Sequence, residues 1–160
     1  MIIEVVNDSG VEIDERALVS QAGFILGQLR MHPDCELSLA LVDEDSIATL
    51  HEDYMDEPGP TDVLSFPMDD LIEGGEELSG PGILGDIIIC PQVARQQALI
   101  VGHTVEAELA VLLTHGILHL LGHDHAEPQE SEVMFARQAA LLELWQAQGG
   151  PVVMASGGPR

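Results

Sequence analysis

The chain contains no lysine, and its five arginines face 28 acidic residues, for a formal net charge of −23 over 160 residues. A chain this acidic repels polyanions at long range, which excludes docking on nucleic acid through a broad basic surface. The imbalance is concentrated: fourteen acids and no basic residue fall between positions 43 and 86. Solubility, or a genome-wide preference for acids over lysine, accounts for such a surplus. Cysteine is scarce too. Cys35 and Cys90 lie far apart with no C-x2-C pattern, so they read as reduced thiols rather than a disulfide or a thiolate metal site. Long hydrophobic runs are missing: the stretch 109–122 is too short to span a bilayer, and no basic segment followed by a hydrophobic one opens the chain. The protein is therefore expected to be soluble and cytoplasmic, with no membrane partner.

Against these absences stands one dense cluster. Four of the seven histidines lie within His115-Gly-Ile-Leu-His119-Leu-Leu-Gly122-His123-Asp124-His125. If the apolar segment up to Leu121 is helical, His115 and His119 project from one face with neighbouring rings and can share a metal ion. His123 on a continued helix would lie about 12 Å along the axis from His115, too far for imidazole–metal bonds of about 2.1 Å. The helix must break first, and Gly122 is placed to do so. After the turn, His125 or His123 can complete a three-histidine site with an open coordination position, as catalytic zinc sites have. The spacing H-x3-H-x2-G-x2-H is also that of the metzincin peptidases, which carry Glu directly after the first histidine as general base. Here that position is Gly116.

The remaining chain suits one domain over residues 1–148 with 46% hydrophobic residues to fill its core. The final small residues, 149–160, read as a disordered tail. Residues 1–6 read as a strand. Leu18, Ala22, Ile25 and Leu29 mark an amphipathic helix over 14–30 with Asp14 as N-cap. Alternating Leu37, Leu39 and Leu41 mark a second strand, followed by a short helix capped near Asp43 with Ile47, Leu50 and Tyr54 on one face. Residues 61–66 form a third strand, and 68–82 an acidic, glycine-rich, mobile loop. Residues 83–90 carry the strongest strand signal; within it Asp86 lies either on the exposed face of an edge strand or buried with a partner. Pro91 opens a helix to about Ile100, and Thr104 caps the histidine helix. Glu108 lies some 10 Å from His115 along that axis, so it caps or supports rather than ligates. Pro128 opens a last helix to about Gln148 with Val133, Ala136, Ala140, Leu141 and Leu144 inward, and Trp145 covers an edge of the core. The class is α+β: a small mixed sheet with helices packed on it.

Three motifs, HGILHLLGHDH, PTDVLSFP at 60–67 and LGDIIIC at 84–90, closely resemble the YbeY family of bacterial rRNA maturation factors in order and spacing, and the likeness runs over most of residues 1–147. The resemblance implies a zinc-dependent, single-strand-specific endoribonuclease acting in 16S rRNA 3′-end maturation and ribosome quality control. It implies one zinc ion per chain, held by His115, His119 and His125, with ribosomal RNA and the small ribosomal subunit as partners and no DNA. Many members have Tyr where His123 stands, which sets His125 as the third ligand. Many also carry an arginine where this chain has Met55. Arginine can hold phosphate bidentately and stabilise developing charge; methionine cannot.

In that reading the chemistry is metal-assisted phosphodiester hydrolysis. His123 is the candidate proton carrier, against an ordinary exposed loop residue. Asp124 is the candidate acceptor that orients a ligand imidazole, against simple turn chemistry. Ser65 and Thr61 face the cleft, or serve only as strand residues. Two other classes are open. A metallopeptidase is favoured by the histidine spacing and disfavoured by Gly116. A non-catalytic ribosome-assembly factor with structural zinc is favoured by Met55 and by the acidic surface, which suits a basic ribosomal protein or an assembly GTPase better than RNA.

Overall fold

Parallel pairing of a β-branched segment with a leucine-rich one begins the sheet. In this computed structural model, which describes residues 1–74 and 81–154, Ile2–Asn7 (β1) lies parallel to Glu36–Leu41 (β2). Helix α1, Glu15–Gln28, makes the crossover, and Asp14 caps it by accepting from the Ala17 N–H. Glu44–Met55 (α2) follows, capped by Asp43 through Ser46; those hydrogen bonds hold the Asp43 carboxyl below its usual range. Val63–Pro67 (β3) and Ile83–Ile89 (β4) then pair antiparallel, while β4 also pairs parallel with β2, so the order is β1-β2-β4-β3. The sheet is mixed, and the class is α+β as the sequence predicts.

Asp86 meets neither expectation. Its strand is interior, the residue is half-buried, and it sits in register with Ser38 and Phe66. The strand before it bulges. The register shifts between Glu36 and Leu37, and Gly85 takes φ 142°, where an added Cβ would lie 2.1 Å from the Phe66 carbonyl oxygen. Only glycine permits that approach.

The two faces of the sheet bury separate clusters. On one, Leu37, Leu39, Leu41, Ile87 and Ile89 join Cys35 and the inner sides of α1 and the later helices in the main core. On the other, Ile47 of α2 packs with Leu64 and Cys90, flanked by Leu50, Phe66 and Ile88. Tyr54 meets Phe66 edge-on at 5.4 Å but is otherwise exposed. Both cysteines are free and buried, and burial pushes both thiols up.

Pro91–Val101 (α3) ends at Gly102, and Val105–Leu120 (α4) starts at Thr104, whose hydroxyl accepts from the Ala107 N–H. Helix α4 packs against β3, β4, α1, α3 and Pro128–Ala147 (α5), so it is apolar nearly all round, as a central helix must be. Its one buried acid, Glu108, is matched: His103 Nε2 lies 2.7 Å from Glu108 Oε1, with both side chains shut off from solvent. Glu108 thus supports the N-terminal end of the helix, remote from the histidines. His103 Nδ1 in turn accepts from the Met154 N–H, and Gly150 lies against Trp145. Residues 149–154 therefore run back along the core. The rest of the expected tail, 155–160, lies outside the described residues.

The inner face of α5 differs from the sequence reading. Met134, Gln138, Leu141 and Leu142 are buried, whereas Val133 and Leu144 are exposed. A polar residue sits at the centre of the buried stripe because it serves the histidines, and this shifts the apparent phase. In the 68–82 loop the described flanks are tied down: Met68 and Asp69 N–H groups donate to Leu84 and Ile83, and Gly74 N–H donates to Leu29. Residues 75–80 lie outside the described residues.

Candidate metal centre

Helix α4 delivers His115 and His119 side by side at its C-terminal end, with ring centroids 4.5 Å apart and their Nε2 atoms 3.0 Å apart. The helix then stops as the sequence demands. Gly122 adopts φ 93°, its N–H donates to the His119 carbonyl, and the His123 N–H donates to the Leu118 carbonyl. This is the Schellman ending, and it reverses the chain. The reversal returns His125 to the pair, its ring 5.5 Å from that of His115 and 5.2 Å from that of His119. One ligand atom from each of the three lies within 4.8 Å of the others.

The donor set fits a metal ion. Tetrahedral zinc with nitrogen bonds of about 2.0–2.1 Å separates neighbouring nitrogens by about 3.4 Å, so small rotations of three side chains close the site. The proton of His115 is placed for it: Nδ1 donates to Gln138 Oε1 at 2.8 Å, which leaves the Nε2 lone pair toward His119. Burial, followed by the proximity of His115 and His125, lowers His119 to about 4 against hydrogen bonding to the His123 backbone, so its ring is neutral near pH 7 and available as a ligand. Phe135 lies 5.7 Å from His115 and 6.0 Å from His125 and walls the triad on the α5 side.

His123 does not join the triad. Its Nε2 lies 3.4 Å from Glu73 Oε1, and the ring is a half-buried part of the cleft wall. Asp124 bonds to the turn itself, its Oδ1 accepting from the His125 N–H at 2.7 Å. Ser65 Oγ donates to the Gly116 carbonyl at 3.3 Å, and Thr61 Oγ donates to Asp62 at 3.4 Å. The cleft that joins these groups has a volume of about 760 Å³; Met55, Glu57, Thr61 and Ser65 line it together with the histidines.

Gly116 has a packing reason. A Cβ there would meet Ile87 at 3.0 and 3.1 Å and Ser65 Oγ at 3.2 Å, because α4 lies directly on the sheet at this point. A glutamate at that position would point into β4 rather than toward the triad. Gln138, Phe135 and Glu73 are not marked as site residues by the sequence. The only local signal was a glutamine inside the apolar run of α5.

A small α+β fold gathers three histidines at the end of its central helix, on an open cleft, as a donor set able to hold a metal ion. The family profile of endoribonuclease YbeY matches residues 5–146. Proteins named endoribonuclease YbeY are similar over nearly the whole chain: that of Nocardia farcinica is 55% identical over 91% of this chain and 80% of its own, and that of Thermobifida fusca 56% identical over 91% and 95%. That of Pseudarthrobacter chlorophenolicus is 55% identical over 94% of this chain and 97% of its own. A solution structure of a Thermotoga maritima protein superimposes with a TM-score of 0.61 at 28% identity, covering 99% of this chain and all of the other. The chain belongs to the YbeY endoribonuclease family.

Proposed function

We propose that this protein is a metal-dependent endoribonuclease for single-stranded RNA, with one zinc ion per chain held by His115, His119 and His125. The observation that carries this reading is the convergence of three imidazole nitrogens within 4.8 Å on the wall of an open cleft. A set of three imidazole nitrogens suits zinc. Bound there, the ion supplies Lewis acidity toward a phosphoryl oxygen and lowers the pKa of water. The chain's own groups do the rest. Gln138 fixes the tautomer and plane of His115. Asp124 stiffens the turn that presents His125. His123, on the cleft wall beside the triad, holds or moves a proton at Nε2. The named activity of the relatives supports RNA as substrate. We place the activity in the cytoplasm, in 16S rRNA 3′-end maturation and ribosome quality control on the small subunit.

A second reading draws on other residues of the same cleft. Met55 and Glu57 line the cleft where a phosphate-binding cation is expected, which favours a ribosome-assembly factor with structural zinc, docked through a ribosomal protein or an assembly GTPase.

One experiment separates these readings. Zinc-loaded protein and its His119→Ala variant are incubated with single-stranded RNA and with an unfolded polypeptide, with and without chelator. RNA cleavage abolished by the chelator and by the substitution is the expected result. Cleavage that survives both is contamination and removes the nuclease reading. Absence of cleavage with retained binding to ribosomal subunits favours the assembly factor.

A further inference from the structure

Positive charge is rare in this chain, which makes the position of Arg137 informative. It stands on α5 next to Gln138, which lines the histidine cleft, and connects to the cleft wall through Glu73 and His123. Its Nη2 lies 3.5 Å from Glu73 Oε2, and Glu73 Oε1 lies 3.4 Å from His123 Nε2. One carboxylate therefore spans an arginine and the histidine of the cleft wall. The fit is loose: Oε2 is buried yet has no hydrogen bond, although the Glu73 side chain as a whole is 34% exposed. A carboxylate oxygen withdrawn from water without a hydrogen bond is held at a cost. A phosphodiester presents the same charge on two equivalent oxygens and matches the guanidinium fork, whose ion pair with Glu73 is a single long contact at 3.5 Å.

We propose that Arg137, with His123 beside it, binds a backbone phosphate of the RNA strand next to the metal centre, and that the Glu73 carboxylate occupies this place until the phosphate displaces it. The proposal rests on the RNA reading above and deepens it. It supplies from α5 the cation that Met55 does not provide from α2. It also gives the acidic segment a role at the site, since only an anion that contacts Arg137 better than Glu73 does gains entry.

The test measures binding and cleavage separately on the full-length, zinc-loaded chain. Binding uses a short labelled single-stranded 2′-O-methyl oligoribonucleotide, titrated over a range of salt concentrations; cleavage uses the unmodified RNA. Arg137→Ala is expected to weaken binding about tenfold, the scale of one charge-assisted contact, and to reduce the log–log salt slope by about 0.7, the share of one phosphate in a single strand. Arg137→Lys keeps the charge without the fork and falls between. Glu73→Gln is expected to tighten binding several-fold, and that gain is expected to vanish when Arg137→Ala is also present. Unchanged affinity in Arg137→Ala overturns the proposal, as does a Glu73→Gln gain that persists without Arg137, which would mark general charge relief. Thermal melting confirms that each variant is folded, and Arg137→Lys carries the test if Arg137→Ala is not. The binding pattern without cleavage by the parent chain sinks the nuclease reading alone. Cleavage without the pattern sinks this proposal alone, and no binding at all sinks both.

Discussion

Gln138 and His115 come from different helices, 23 residues apart, and meet at 2.8 Å with the glutamine oxygen accepting the Nδ1 proton. The contact decides which nitrogen of His115 faces the other two histidines. Gln138→Leu keeps the volume and removes the acceptor. Zinc affinity is expected to fall by roughly 10–100-fold, measured by competition with a chromophoric chelator, with the fold retained by circular dichroism. Unaltered affinity would show that the glutamine does not orient the ring.

The buried pair at the other end of α4 makes a contrasting case. His103 and Glu108 are shielded from water and 2.7 Å apart. Glu108→Ala strands its partner, and unfolding free energy in urea is expected to drop by roughly 3–5 kcal/mol. Zinc affinity at low temperature, where the variant is folded, is expected to remain that of the parent. A specific loss of zinc would instead tie Glu108 to the metal site.

Acid should act on the metal-free protein through His119. Its folded value of about 4 lies below the ordinary 6.5. Between these values the unfolded chain binds the proton and the folded chain does not, so the contribution is complete above pH 6.5 and is lost as pH falls toward 4. Allowing for a partly exposed ring, the loss is roughly 2 kcal/mol. Urea titrations of the parent and His119→Gln across this window should show the parent falling further by that amount. Parallel profiles would remove the assignment.

Gly85→Ala places a methyl group on the Phe66 carbonyl at a bulge with positive φ. The expected cost is about 3 kcal/mol, seen as a lower urea midpoint at unchanged slope. Full stability would mean that β3 can shift away from β4.

Much of this fold could be read locally. Asp14, Asp43 and Thr104 cap helices because short acceptor side chains precede apolar periodicity, and Pro91 and Pro128 open theirs where a missing N–H costs nothing. The histidine spacing and the Gly122 break are local too, so the triad could be anticipated from eleven residues. What escaped depends on distant pairing. That β4 enters between β2 and β3 is a property of the sheet, and it alone decides where Asp86 sits. Gln138 looks like a polar interruption until His115 is set opposite it, and reading past it turned the inner face of α5 toward Val133 and Leu144. The bridge from Glu73 to His123 and Arg137 joins three segments separated by 50 and 14 residues in sequence, and no periodicity records such a meeting.

The two thiols give this molecule a pair of built-in clocks. Cys35 is enclosed in the main core and Cys90 in the smaller cluster on the opposite face of the sheet. Neither can meet a labelling reagent until its own layer opens, and burial pushes the pKa of both thiols up, so that less thiolate forms and reaction in the closed state is slower still. Mass spectrometry of native protein pulsed with such a reagent would time the opening of each face separately. The comparison would show whether the α2 side breathes independently of the helices that carry the histidines.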